Sequence, residues 1–125
     1  MLGLYRETAK EFARQLLEKW GQDIDSIILY GSVASGRATD ESDIDILIVT
    51  QNKAEVAKTA FDIAYELDWE NDLKTLTMPF PMTLAEVRAY KAAGSPLIWD
   101  ILRLGSILYD DGSFERVRQE TLAAG

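Results

Sequence analysis

Two short stretches carry residue types that can do chemistry together: Tyr30-Gly31-Ser32 and, ten residues later, Asp43-Ile44-Asp45, which runs on into Ile46-Leu47-Ile48-Val49. In a strand alternate side chains share a face, so Asp43 and Asp45 point the same way, about 6.5 Å apart, while Ile44 and Ile46 point into a core. Two carboxylates so placed repel by about 2–3 kcal/mol at an effective dielectric of about 20, and a shared divalent cation reverses the sign. Gly31 lets a phosphate approach the backbone with no Cβ in the way. Ser32 adds a hydroxyl and the amides of the following turn as anion donors. The pattern points to a metal held by Asp43 and Asp45 beside phosphates held by Gly31 and Ser32, with Arg37 of the same loop adding a charge-assisted contact.

The rest of the composition narrows that chemistry. The 125-residue chain has no cysteine and no histidine, so any metal is bound by oxygen, which favours magnesium, manganese or calcium. Nor is there a disulfide framework, a cysteine nucleophile or a histidine base. A net charge of −8 argues against a broad basic surface, so no long nucleic acid is expected as substrate; such acidity chiefly gives a solvated exterior, and it also suits a basic partner. Arg6, Glu7, Lys10, Glu11 and Arg14 break up the apolar residues of the first twenty positions, so these form neither a signal peptide nor a membrane span, and a cytoplasmic location is expected.

The two motifs must be brought together by the elements around them. Ala9, Phe12, Ala13, Leu16, Leu17 and Trp20 recur at helical spacing before Gly21, predicting an amphipathic helix over about 3–20. Ile24–Tyr30 reads as a buried strand, 32–42 as a loop with one helical turn, and Asp43–Val49 as a second strand. Gly31 ends the first strand and Asp43 begins the second, so they meet only if the two run antiparallel. Val56, Ala60, Ile63, Ala64 and Leu67 mark a further helix, and Leu73–Met78 a third strand stopped by Pro79 and Pro81. Thr83 and Glu86 form a capping box with Met82 and Val87 as hydrophobic staple, and Ser95-Pro96 opens another helix that ends at Gly105. A short strand over Ile107–Tyr109, a turn at Asp110-Asp111-Gly112 and a helical stretch around Phe114–Leu122 complete an α/β (α+β) reading. This is a single domain over 1–125, a small mixed sheet of three to four strands flanked by helices, with a tail from about 111 that is free to move.

The stretch GSVASGRATDESDIDILIV resembles the signature of the minimal nucleotidyltransferases of the DNA polymerase β superfamily, and MTLAEVRAYKAAGSPLIWDILRLGSILYD is similar to the C-terminal half of its small archaeal and bacterial members. The resemblance runs over roughly residues 10 to 110 and implies a nucleotidyltransferase-like fold. It further implies two magnesium ions when substrate is bound, with manganese as a substitute, transfer of a nucleoside monophosphate, most simply AMP from ATP, to a hydroxyl, and frequent pairing with a HEPN-domain protein. In several such pairs the partner is a toxic ribonuclease that the transferase adenylylates as antitoxin. Many members carry arginine where this chain has Val33 or Ser35, which leaves Arg37 as the cation of the loop. The superfamily's third carboxylate sits on a neighbouring strand and helps deprotonate the incoming hydroxyl. The matching strand here is 72–78, where Asp72 is the only acid, and it reads equally as a turn residue after Glu70 and Asn71.

Two functions follow as expectations. One is a magnesium-dependent protein adenylyltransferase with Asp43, Asp45 and Asp72 as catalytic carboxylates and Gly31, Ser32 and Arg37 on the nucleotide. The other is a catalytically weak or inactive nucleotide-binding subunit that neutralises its partner by direct binding. Asp40 and Glu41 read as loop solvation, and Trp69 and Trp99 as core or partner-facing residues.

Overall fold

Ile24–Tyr30 and Ile44–Thr50 form β1 and β2, two central strands whose apolar residues are covered on both faces. They pair antiparallel, with Tyr30 opposite Asp45 and Ile27 opposite Ile48. β3 (Thr77–Met82) adds parallel to β2 and β4 (Ser106–Asp110) antiparallel to β1, which gives a four-stranded mixed sheet in the order β3-β2-β1-β4. The computed structural model describes residues 2–36 and 43–124.

Strand alternation sorts the core into two layers. Ile27, Leu29, Ile44, Ile46 and Ile48 face α1 (Leu2–Trp20) and α3 (Lys53–Glu70), whose Phe12, Leu16, Val56 and Ile63 close that side. Ile28, Leu47 and Val49 face the other way, under α4 (Leu84–Ala92), α5 (Pro96–Leu104) and α6 (Ser113–Ala124). Directly after β1 the chain makes a helical turn, α2 (Gly31–Ala34). The start signals act as their chemistry requires. The Thr83 hydroxyl accepts from the Glu86 amide while the Glu86 carboxylate accepts from the Thr83 amide, and the Ser95 hydroxyl accepts from the Ile98 amide. Within residues 113–124, α6 buries Phe114 and Val117 in the second layer, and Asp110 caps it by accepting from the amides of Phe114 and Glu115.

The third strand lies four residues later than its spacing predicts, and it runs through both prolines rather than stopping at them. β3 is an edge strand, and backbone groups alternate in direction along it. The Thr77 N–H points away from β2, to Asp68 Oδ2 at 2.9 Å, so Pro79 and Pro81 also place their missing donors on the outer side, where no ladder bond is lost. The residues expected to start that strand instead close α3. The Leu73 amide donates to the Asp68 carbonyl and the Asp72 amide to the Trp69 carbonyl, with Asp72 at φ 56° and Leu73 at φ 59°. This is a Schellman ending with an aspartate in the left-handed position usually given to glycine.

Asp68 fastens that edge. Its buried carboxylate accepts from the hydroxyls of Thr75 and Thr77 as well as from the Thr77 amide. Replacing it by alanine strands buried donors, so Asp68→Ala should cost about 2–3 kcal/mol in denaturant unfolding. Asp72→Gly should act oppositely. Relief of the left-handed backbone and of a negative charge at a helix C-terminus outweighs the glycine entropy cost by about 0.5–1 kcal/mol, read as a rise of a few degrees in Tm.

Candidate functional site

The end of β1 and the start of β2 form one edge of the sheet, and there the two motifs touch. Gly31 has φ 80°, and a Cβ built on it would lie 2.6 Å from Asp45 Oδ2. Both the left-handed backbone and the missing methylene are therefore needed for the Asp45 carboxylate to lie against the turn. Asp43, just ahead of β2, is exposed, and Asp45 is half-buried on the same face. Burial first, and the neighbouring Asp43 charge second, push the Asp45 carboxyl above the usual range. Opposite it, Tyr30 is pushed up to about 12, mainly by burial and then by Asp45. A partly desolvated carboxylate facing a like charge is an arrangement that a bound cation relieves.

Ser32 is half-buried on α2, whose first-turn amides have no partner within the turn itself. The turn is pinned from both ends: Val33 is fully buried, and Arg6 of α1 donates through Nη2 to the carbonyls of Val33 and Ala34 at 3.2 Å each. Arg6 does not stand out in the sequence, because it is one charge among several on an amphipathic helix and only the packing of α1 brings it to the loop. Arg37 lies outside the described residues.

A cleft of about 260 Å³ opens beside Gly31. Tyr30, Gly31 and Ser32 form one wall, and Leu97, Ile101 and Leu104 of α5 the other. Gly105 lets that wall come close, since a Cβ there would meet the Ile101 carbonyl and Ile28 Cγ2, each at 2.6 Å. Apolar spacing alone shows α5 only as core cover. The available signal is that Leu97 and Leu104 fall off the buried stripe of Ile98, Ile101 and Leu102 and stay exposed.

The structure does not bring Asp72 onto the strand beside Asp45. Asp72 is an exposed turn residue five positions before β3, whose register sets Met78 beside Asp45. Leu76, two residues before Met78, flanks Asp43 through the bond from the Ile44 amide to its carbonyl. Among the described residues no three acidic side chains converge as a metal cage. Two carboxylates with open positions nonetheless fit magnesium, which keeps waters and shares its shell with substrate phosphates.

Comparison with known proteins agrees with this geometry. The family model described as Polymerase beta, Nucleotidyltransferase matches residues 11–113. A relative from Methanocaldococcus jannaschii, provisionally named protein adenylyltransferase MJ1305, is 32% identical over 111 residues, covering 83% of this chain and 71% of its own. A second protein of that organism with the same provisional name, MJ0604, is 58% identical over 40 residues, 32% of this chain and 40% of its own. Among solved structures, the crystal structure of a toxin–antitoxin with AMP-PNP matches with TM-score 0.61 and 19% identity, over 92% of this chain and 85% of that one. The toxin–antitoxin MntA–HepT matches with TM-score 0.54 and 16% identity, over 94% and 85%. The structural likenesses speak for the fold; the family model and the first relative, each spanning most of the sequence, carry the assignment, and the chain belongs to the polymerase β nucleotidyltransferase family.

Proposed function

We propose that the chain transfers AMP from magnesium-bound ATP to a hydroxyl group on a protein partner, a HEPN-type toxin that the modification silences in the cytoplasm. The observation that carries this reading is the fit of the Asp45 carboxylate into the space that a Cβ on Gly31 would fill, which makes the phosphate side and the metal side parts of one site. The relative provisionally named protein adenylyltransferase and the similar fold of a toxin–antitoxin with AMP-PNP support it. No described helix is long and apolar enough to cross a membrane.

In this reading Asp43 and Asp45 hold the magnesium, which when bound supplies neutralisation of the charge developing at the α-phosphorus as pyrophosphate leaves. Gly31 and Ser32 hold the phosphates, and the apolar wall of α5 takes the base and ribose and keeps water from that side. The acceptor oxygen bonds to the α-phosphorus as the bond to pyrophosphate breaks. The hydroxyl proton passes to Asp45, the carboxylate that lies against the Gly31 turn.

A second reading, a nucleotide-binding subunit that neutralises the toxin by contact alone, is favoured by one observation: Leu76 just ahead of β3 and Met78 within it, and no acid, lie alongside Asp43 and Asp45. Titration calorimetry with a non-hydrolysable ATP analogue, followed by labelling of the purified toxin from α-labelled ATP, separates the two. Asp43→Asn and Asp45→Asn should each lower labelling about 10²-fold or more and abolish magnesium-dependent binding. Labelling that survives both refutes transfer at this site, and neutralisation that survives without labelling favours contact alone. Asp72→Gly should keep full labelling; a loss of about 10²-fold would make Asp72 the proton acceptor instead.

The raised Asp45 value gives a pH test with a definite sign. Below the unfolded carboxyl value of about 3.9 the group is neutral in both states and costs nothing, and as pH rises through its higher folded value the metal-free protein loses stability. In chelator, Asp45→Asn should therefore match wild type near pH 3.5 and become the more stable protein by pH 7. A difference in Tm that does not change with pH would refute it.

A further inference from the structure

The outward face of α3 is built unlike the rest of the surface. Phe61, Tyr65 and Trp69 follow one another at four-residue intervals, 50%, 64% and 53% exposed. Residues four apart stand one above the next on a helix, so the three rings make a single row. Tyr65 and Trp69 meet edge to face, with centroids 6.1 Å apart, so these two rings pack on each other while remaining largely in solvent. The core takes the opposite side of the helix, through Val56, Ala60, Ile63, Ala64 and Leu67. The nucleotide cleft lies against α5 across the sheet, so neither folding nor the candidate site uses the aromatic row.

Beside it runs a row of opposite character. Asp62, Glu66 and Glu70 each follow an aromatic residue by one position, all are exposed, and none has an ion-pair partner among the described residues. Bare aromatic rows belong to interfaces, where Tyr and Trp supply the central anchors. The flanking charge selects the occupant. A second copy would set two such acidic rows, and two chains of −8, against each other, and polynucleotides and anionic membranes are repelled in the same way. Arginine satisfies both rows at once, because its guanidinium stacks on aromatic faces and pairs with carboxylates.

We propose that the outer face of α3, the row Phe61, Tyr65 and Trp69 flanked by Asp62, Glu66 and Glu70, docks a protein partner through a helix that presents arginines beside apolar residues. The proposal rests on the reading above only in requiring a protein partner, and its test uses no nucleotide, so either can fail without the other.

The probe is a labelled helical peptide of about 18 residues with a leucine stripe flanked by arginines, together with its twin carrying glutamate at each arginine, titrated with the full chain by fluorescence anisotropy. The arginine peptide should bind at least about tenfold more tightly than its twin and weaken as salt is raised. A Phe61→Ser/Tyr65→Ser/Trp69→Ser variant and an Asp62→Lys/Glu66→Lys/Glu70→Lys variant should each lose about tenfold or more. Asp45→Asn should bind as wild type. The single substitution Tyr65→Arg, at the most exposed of the three rings, should weaken binding too and serves if a triple variant fails to fold. Equal affinity for the two peptides, undiminished binding by the variants, no binding at all, or self-association of the chain through these residues in sedimentation would each overturn the proposal.

Discussion

The close approach of Gly31 to Asp45 is the contact on which the candidate site depends. It exists because β1 and β2 pair antiparallel in one register, with Tyr30 opposite Asp45. A slip of one residue would turn Asp45 toward the layer under α1 and α3, where an unpaired carboxylate is costly, and bring Ile44 or Ile46 out of it. The register is thus held by the apolar residues on both faces of β2, and the carboxylate rides at its end. Because Asp45 shares its face with Leu47 and Val49, which are buried under the second helix layer, it leaves the core at the sheet edge and stays partly desolvated. That partial burial, with the Asp43 charge nearby, holds the Asp45 carboxyl above the usual range.

The surrounding elements serve this edge in different ways. α1 supplies cover for one face and, through Arg6, a clamp on the α2 turn. α5 supplies cover for the other and, through Leu97 and Leu104, a wall for the cleft. α3 crosses from β2 to a parallel β3, and its last turn is tied to that edge by Asp68. The chain spends residues 71–76 on a Schellman ending and the approach to the strand, so Asp72 caps a helix while Leu76 and Met78 flank the carboxylates.

Chain-local physics makes much of this legible in the order of residues alone. The position and type of β1, β2, α1 and the capped helices α4 and α5 follow from apolar periodicity and from caps whose donors and acceptors lie within a few residues of each other, as at Thr83 and Glu86. The pairing of a glycine-serine turn with two alternating aspartates points to phosphate and metal chemistry for the same reason, because alternation along a strand is a local property. The β3 boundary escapes such reasoning, since the effect of a proline depends on whether its missing N–H faces a neighbour, and that is decided by the strand lying at the sheet edge.

The sequence by itself determined the family, the oxygen-only ligands open to any bound metal, and the placing of Gly31 and the two aspartates at strand ends that meet if those strands run antiparallel. Each follows from residue types within short stretches of chain. Only the tertiary structure decided that Asp72 closes a helix, that Arg6 reaches the α2 turn 27 residues away, that α5 walls the cleft and that the aromatic row of α3 stays uncovered. These are relations between elements, set by which faces pack and which remain outside, and no periodicity within one element encodes them.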